Sequence, residues 1–141
     1  MKLLSKTLTI LICALSFAVM SHAQSPGAGT WSFDGNGYLT TLTLHVDSAN
    51  NVAGTIYNGD SVTGFFTPSS HRIVFYRNLY NKNVLNQIQV YTGYIFPNDV
   101  HNPSGAAAMA GTFQVFSGTG GTAVSNEYGW SAYRSPTIVV H

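Results

Sequence analysis

Residues 29–44, GTWSFDGNGYLTTLTL, decide the fold of this chain. A Gly-Thr-Trp triplet is followed by the turn residues "DGNG" and then by "YLTTLTL", in which leucines and threonines alternate. Asn-Gly beside an alternating segment is a strong short-range signal for a β-hairpin, and strict alternation is typical of a strand with one buried face. The stretch therefore predicts two antiparallel strands, with Trp31 in the first strand and Leu42 and Leu44 facing the core from the second.

The same two-residue period recurs along the rest of the chain, where no helical period is present. Turn-rich segments such as "DSANN", "NGD" and "TPSS" separate the alternating segments "NVAGTIY", "SVTGFFT", "RIVFYR", "VLNQIQVYTGYIF", "MAGTFQVF" and "NEYGWSAYR". Eight antiparallel strands joined by hairpins are the number that closes into a small up-and-down barrel. We therefore predict an all-β fold, an eight-stranded antiparallel up-and-down β-barrel. A flat two-sheet sandwich is the alternative.

Four strands share a weak internal repeat with a glycine at its centre, "VAGTI", "VTGFF", "YTGYI" and "MAGTF". Glycine weakens a strand, so its recurrence indicates sharp bending where a barrel turns a corner. The parity of the repeat predicts which side chains face inward. These are Val52, Ile56, Val62, Phe66, Tyr91, Ile95, Met109, Phe113 and Val115. The outer face carries the aromatic residues Tyr57, Phe65 and Tyr76, which indicate either a contact between subunits, and hence a homo-oligomer, or simply residues that favour strands.

Residues 1–23 have the features of a secretory signal peptide. Lys2 and Lys6 precede the apolar run "LTILICALSFAVM", and small residues lead to a cleavage site after Ala23. The run is shorter than the ~20 residues that a membrane-spanning helix needs. The sequence thus predicts a secreted or periplasmic protein without a membrane span after cleavage, and a single β-barrel domain over residues 24–141. Cys13 lies in the leader, so the mature domain has no thiol and no disulfide.

Charge and motif spacing argue against several classes of function. The basic residues outside the leader are scattered, whereas nucleic acids and anionic membranes attract clusters. The histidines do not have the spacing of metal ligands, so we expect no metal and no cofactor. No Gly-x-Ser-x-Gly elbow and no pair of glutamates is present, and no reaction class is indicated. A binding protein is favoured over an enzyme, with a cyclase-like barrel enzyme as an alternative.

The up-and-down order assigns side chains to the two ends of the barrel. Trp31 and Arg134 fall at one end, where stacking of the guanidinium on the indole would close the barrel. Arg77, Gln87 and Gln89 fall toward the other end and suit the carboxylate or sulfate head of a ligand whose apolar tail enters an aromatic interior. The alternative is that they are solvated residues of the rim or complete buried hydrogen bonds. The candidate ligand-binding residues are Phe33, Asn58, Phe66, Phe75, Arg77, Gln87, Gln89, Tyr91, Phe113 and Trp130.

The order of short motifs over about residues 28–134 resembles a known superfamily. "GTW", "VAGTIYNG", "VTGFF", "VYTGYIF", "TFQVFSGTGG" and "NEYGW" are similar to the calycin barrels, the lipocalins and avidins, and most of all to the avidin branch. Avidins bind biotin, and the resemblance implies a ligand inside the barrel. The residues that avidins use for biotin are largely absent here. Phe33 replaces their asparagine, Ile56 their third-strand tyrosine, and Tyr91 and Phe113 two of their tryptophans.

The sequence therefore predicts a secreted, non-enzymatic binding protein that holds a small, largely apolar or amphipathic molecule inside a calycin-type barrel. A structural or adhesion module is the alternative from another class. Its core would be filled, and its outer aromatic residues would form the contact surface.

Overall fold

A computed structural model describes residues 25–96, 107–118 and 127–134 of the chain. The predicted leader, residues 1–23, lies outside these ranges. The described residues form eight strands, which we number in chain order. They are β1 (Gly29–Gly35), β2 (Tyr38–Val46), β3 (Asn51–Ile56), β4 (Asp60–Thr67), β5 (Arg72–Asn81), β6 (Val84–Phe96), β7 (Ala107–Ser117) and β8 (Tyr128–Arg134).

The strands close into a barrel. Each strand pairs antiparallel with the next along the chain, and β8 pairs with β1 from Ser32↔Tyr133 to Gly35↔Trp130. The predicted eight-stranded up-and-down barrel is confirmed, and the two-sheet sandwich is wrong because the hydrogen-bonded ring is complete. Among the described residues there is no helix of the length and hydrophobicity that crossing a membrane requires.

Two of the hairpins turn on a pair of residues with positive φ. Asn36 and Gly37 join β1 to β2 with φ of 52° and 84°, and Lys82 and Asn83 join β5 to β6 with φ of 48° and 65°. Positive φ at both central residues is the mark of a type I′ turn, whose twist matches that of the flanking strands. In the first turn the Asp34 carboxylate also accepts a hydrogen bond of 2.8 Å from the Gly37 N–H.

Alternating side chains of all eight strands fill the barrel with one hydrophobic core. Every position that the glycine repeat predicts to face inward is buried, from Val52 to Val115. Trp31, Phe33, Phe75 and Tyr91 are among the largest fully buried side chains. The inward parity predicted from the sequence is confirmed.

The glycines of the repeat allow neighbouring backbones to approach closely. Gly93 and Gly111 face each other across β6 and β7. A Cβ atom on Gly111 would lie 2.0 Å from the Thr92 carbonyl oxygen, and one on Gly93 would lie 2.5 Å from Cζ2 of Trp130. The indole of Trp130 lies over this pair, and its N–H donates to the carbonyls on either side. Glycine is required here because a side chain would displace backbone and indole.

One end of the barrel contains the start of β1 and the end of β8. A tryptophan and an arginine close this end. Trp31 is buried, and its indole N–H donates to the Gly27 carbonyl at 3.2 Å. The Cζ atom of Arg134 lies 4.8 Å from the centre of the Trp31 ring, and its Nη1 donates to the Ala28 carbonyl at 2.6 Å. Trp31 is therefore part of the closed end rather than of a pocket.

The opposite end, which we call the mouth, has an uneven rim. The β4–β5 ladder ends at Val62↔Arg77, whereas β5 continues to Asn81 and pairs with β6 to its last residue. The register of that pair shifts between Leu79 and Tyr80. The β5–β6 hairpin consequently projects beyond β4 and forms a raised wall on one side of the mouth.

Candidate ligand-binding site

Arg77 is the central charged group of the mouth. It follows Ile73 and Phe75 on the inward face of β5 and is 9% exposed. Its Nη1 lies 3.6 Å from Oδ2 of Asp60 at the start of β4, which makes an ion pair too long for a good hydrogen bond. The buried Nε and Nη1 find no hydrogen-bond acceptor among the described residues. A buried guanidinium with unpaired N–H groups is energetically costly, so Arg77 has unused capacity to bind an acceptor.

Tyr57 covers the guanidinium. The Cζ atom of Arg77 lies 4.3 Å from the centre of the Tyr57 ring, and this ring also contacts Phe33 edge-on at 6.2 Å between centroids. A Cβ atom on Gly35 would lie 2.9 Å from the Tyr57 hydroxyl. The side chain thus extends from the β3–β4 turn toward β1, across the mouth.

The prediction that Tyr57 lies on the outer face is wrong. Strand β3 ends at Ile56, and Tyr57 adopts a left-handed backbone conformation with φ of 53°. This conformation breaks the alternation of the strand and turns the side chain inward, where it packs on the core. The other two aromatic residues of that prediction, Phe65 and Tyr76, are exposed on the outer face.

Gln89 and Tyr91 lie beside Arg77 on β6. Gln89 is the register partner of Arg77, and its Oε1 accepts a hydrogen bond of 2.7 Å from the Tyr91 hydroxyl. Burial raises the pKa of the Tyr91 phenol well above its ordinary value, and the neighbouring Tyr57 adds to this effect. Tyr91 is consequently neutral near pH 7 and donates to Gln89. That bond uses the carbonyl of the carboxamide, whose NH₂ group is a donor suited to an anion.

Aromatic rings form the floor beneath these polar groups. Phe33 stacks on Trp130 with 5.6 Å between centroids, and Tyr91 stacks on both Phe75 and Phe113 with 4.8 Å between centroids. All five side chains are buried. Because they pack on one another, they fill the middle of the barrel, and only Trp130 and Phe113 keep a small exposed fraction.

The remaining predicted site residues are spread more widely. Gln87 is half-buried nearer the rim and pairs with Leu79. Asn58 is exposed in the β3–β4 turn. Phe66 is buried toward the closed end, where it pairs with Ile73. The structure therefore brings Arg77 and Gln89 together with the ring cluster, and it separates Asn58 and Phe66 from them.

Sequence reasoning missed two residues of the mouth, Tyr57 and Asp60. Asp60 belongs to the turn-rich segment "NGD", and aspartates are common in turns for reasons of local hydrogen bonding. The alternation of inward and outward residues along β4 is the signal that could have identified Asp60. Asp60 precedes the inward residue Val62 by two positions, and Val62 pairs with Arg77.

The mouth combines one cation, a carboxamide and a floor of aromatic rings, which is a set that suits an anionic head with an apolar body. In the described part of the chain, no three His, Cys, Asp or Glu side chains are grouped as a metal site would require.

Two solved structures resemble this barrel. They are the crystal structure of rhizavidin, with a TM-score of 0.55, and that of the rhizavidin–biotin complex, with a TM-score of 0.56. Each is 18% identical in sequence, and the matches cover 79% of this chain and 87% and 97% of the respective rhizavidin chains. No protein-family model and no curated protein sequence matches the chain. The likeness concerns the fold, and this chain folds as an avidin-like closed barrel of eight antiparallel strands.

Proposed function

We propose that this protein is a non-enzymatic binding protein that holds a small amphipathic anion at the mouth of its barrel. The observation that carries the proposal is Arg77, which is buried and whose Nε and Nη1 meet no acceptor within the described ranges. A carboxylate or sulfonate oxygen would accept a charge-assisted hydrogen bond from these unpaired N–H groups. The apolar part of such a ligand would rest on the upper edge of the ring cluster.

Asp60 supports this assignment because it provides an incomplete substitute for such an anion. Its carboxylate is 3.6 Å from Arg77 Nη1, and its side chain is 44% exposed. It can therefore turn into solvent at little cost when a ligand carboxylate takes its place. The charge of the guanidinium is then balanced in both the free and the bound protein.

Access to Arg77 requires Tyr57 to move. The ring lies directly over the guanidinium, and its backbone has a φ that is unfavourable for a residue with a side chain. The β3–β4 turn, which consists of Tyr57 to Gly59, is short and joins strands that are otherwise fully paired. We propose that this turn opens the site, since a change of conformation at Tyr57 relieves its strain and uncovers Arg77.

Rhizavidin has been crystallised with biotin, so a barrel of this fold can hold a small molecule. In the present chain Phe33 and Trp130 are stacked in the middle of the barrel. For this reason we propose the mouth rather than the deep interior as the binding position. The residues of the ligand contact would be Arg77, Gln89 and the edges of Tyr91 and Phe113.

The test uses 8-anilinonaphthalene-1-sulfonate as a fluorescent anionic probe, with octanoate and 1-octanol as competitors of equal chain length. We expect the probe to bind, and octanoate to displace it at least tenfold more effectively than octanol. Substitution Arg77→Met, which keeps the apolar stem, is expected to weaken binding of the probe and of octanoate by tenfold or more. Binding measured by fluorescence titration at pH 7 gives both values.

Two outcomes would contradict the proposal. One is equal displacement by octanoate and octanol, because the head group would then have no role. The other is unchanged affinity in Arg77→Met. Circular dichroism and thermal unfolding of the variant show whether the barrel is intact, and Arg72→Met, at an exposed position of the outer face, serves as the matched arginine control.

A second candidate function is a structural or adhesion module. It is favoured by the filled interior and by large aromatic side chains on the outside, such as Phe65, which is 52% exposed, and Tyr76. On this alternative the outer face would contact a second copy of the chain or another partner. Absence of any anion binding, together with self-association in sedimentation velocity that is lost in Phe65→Ser, would favour it over the mouth site.

We also propose that the protein is exported, as its leader pattern over residues 1–23 predicts. The intact mass of the protein isolated from its host would then correspond to a chain that begins at Gln24. A mass that includes Met1 would contradict export by this route.

A further inference from the structure

The projection of β5 beyond β4 creates a groove on the outside of the barrel wall. It measures about 410 Å³ and lies where the first residues of β4 face the outer side of β5. The residues that line it are Gly59, Asp60, Ser61, Thr63, Tyr76, Asn78 and Tyr80. We call it the outer groove. It faces away from the mouth, because Arg77 lies between Tyr76 and Asn78 on the same strand and points inward.

Two tyrosines define the length of the outer groove. Tyr76 and Tyr80 both face outward on β5, and they are 41% and 63% exposed. Four residues along a strand correspond to about 13 Å, at about 3.3 Å per residue. That is the distance between the two residues along the strand, and a ligand that spans it is longer than a single pyranose ring. A ligand that contacts both must be a chain of at least two such units.

The polar groups between the tyrosines combine donors and acceptors. Asn78 offers both in one carboxamide, and Ser61 and Thr63 offer hydroxyls. The Asp60 charge is already compensated by Arg77, which lies 3.6 Å away on the inner side of the wall. The groove therefore has little net charge, and its side chains are polar or aromatic throughout.

We infer that the outer groove is a binding site for a neutral oligosaccharide. Sugars present alternating hydroxyl groups, which pair with carboxamides, carboxylates and hydroxyls, and an apolar C–H face, which packs on an aromatic ring. Rigid tyrosines with adaptable Asn and Ser neighbours are a combination that provides contact area and hydrogen bonds at low entropic cost. This site does not depend on the anion site at the mouth, since the two use opposite faces of β5.

The test measures binding of cellotriose, maltotriose and triacetylchitotriose by isothermal titration calorimetry, with glucose as the single-ring comparison. We expect at least one trisaccharide to bind, and glucose to bind at least tenfold more weakly than that trisaccharide. The double variant Tyr76→Ala/Tyr80→Ala should lose tenfold or more in affinity. Both rings are exposed, so removal of them leaves the core unchanged.

The matched control is Tyr94→Ala/Tyr133→Ala, which removes two tyrosines of similar exposure elsewhere on the outer face. It should bind the trisaccharide as the unmodified protein does. Three results would overturn the inference. They are no heat of binding with any of the three trisaccharides, an equal loss in the control variant, and unchanged affinity in Tyr76→Ala/Tyr80→Ala. Should the double variant unfold, Tyr80→Ala alone provides the same comparison.

Discussion

At the scale of single residues, Gly111 carries one of the strong steric requirements that the sequence repeat encodes. A Cβ atom there would lie 2.0 Å from the Thr92 carbonyl oxygen, which is backbone of the paired strand and cannot rotate away. We therefore expect Gly111→Ala to lower the free energy of unfolding by about 1–3 kcal/mol, which is the usual cost of overpacking. Urea denaturation measures this change.

Gly129 provides the matched control for that substitution. It is also a strand glycine, in β8, but a Cβ atom on it would have no heavy atom of the described chain within 4 Å. Gly129→Ala is expected to change stability by no more than about 0.5 kcal/mol. Equal losses in the two variants would mean that the cost comes from replacing any strand glycine rather than from the close approach of the β6 and β7 backbones.

Arg77 and Tyr57 show what the alternation of a strand can and cannot predict. Alternation with Ile73 and Phe75 correctly predicts that Arg77 faces inward, because all three lie within one regular strand. Tyr57 lies one residue beyond the end of β3, where alternation no longer applies. Its direction depends on a left-handed φ of 53° that a non-glycine residue rarely adopts. The alternation of a strand gives no indication of that backbone conformation. The position of Tyr57 over Arg77 could therefore not be predicted from the sequence.

At the scale of elements, two hairpins use the same type of turn with different residues. The β1–β2 turn has Asn36–Gly37, whereas the β5–β6 turn places Lys82 and Asn83 at positive φ. Replacement of the second pair by Asn-Gly, in Lys82→Asn/Asn83→Gly, should relieve backbone strain. We expect the free energy of unfolding to rise by about 1 kcal/mol, within the range of other single stabilising changes. Thermal and urea unfolding measure the gain.

The reciprocal exchange tests the same reasoning in the other hairpin. Asn36→Lys/Gly37→Asn should destabilise the β1–β2 turn by a similar amount, since a Cβ atom on Gly37 meets open space and only the backbone conformation opposes it. If both double variants shift stability in the same direction, strain in the turns is not the cause.

The sequence predicts the elements better than their ends. Alternating segments and turn residues locate all eight strands and their order around the barrel. They do not reveal that β5 extends beyond the last partner in β4, or that its pairing with β6 shifts at Leu79. Alternation reports which face is buried, whereas the end of a ladder depends on the neighbouring strand. The outer groove arises from that difference in length, and for this reason it was not predictable.

At the scale of the whole molecule, the barrel depends on its shortest junction. The β1–β8 ladder extends only from Ser32↔Tyr133 to Gly35↔Trp130, whereas the β6–β7 ladder extends along nearly the whole of both strands. A closed sheet has no free edge while every junction holds, and it gains two edges when one junction opens. The short ladder is therefore the place where we expect opening to begin.

Arg134 reinforces that junction at the closed end of the barrel. Its guanidinium stacks on Trp31 and donates to the Ala28 carbonyl, and thus joins the last residue of β8 to the first turn of the described chain. Substitution Arg134→Met removes a charged hydrogen bond and a cation–π contact. We expect it to lower the free energy of unfolding by about 1–3 kcal/mol.

Hydrogen exchange measured by mass spectrometry distinguishes this closing role from a general loss of stability. In Arg134→Met, amides of β1 and β8 should lose protection before those of β5 and β6, because the short ladder opens without the long one. Arg72→Met, at an exposed arginine of β5, should leave both regions unchanged. An equal loss of protection in all eight strands would contradict local opening. It would mean that the barrel unfolds as one cooperative unit and that the β1–β8 junction does not open on its own.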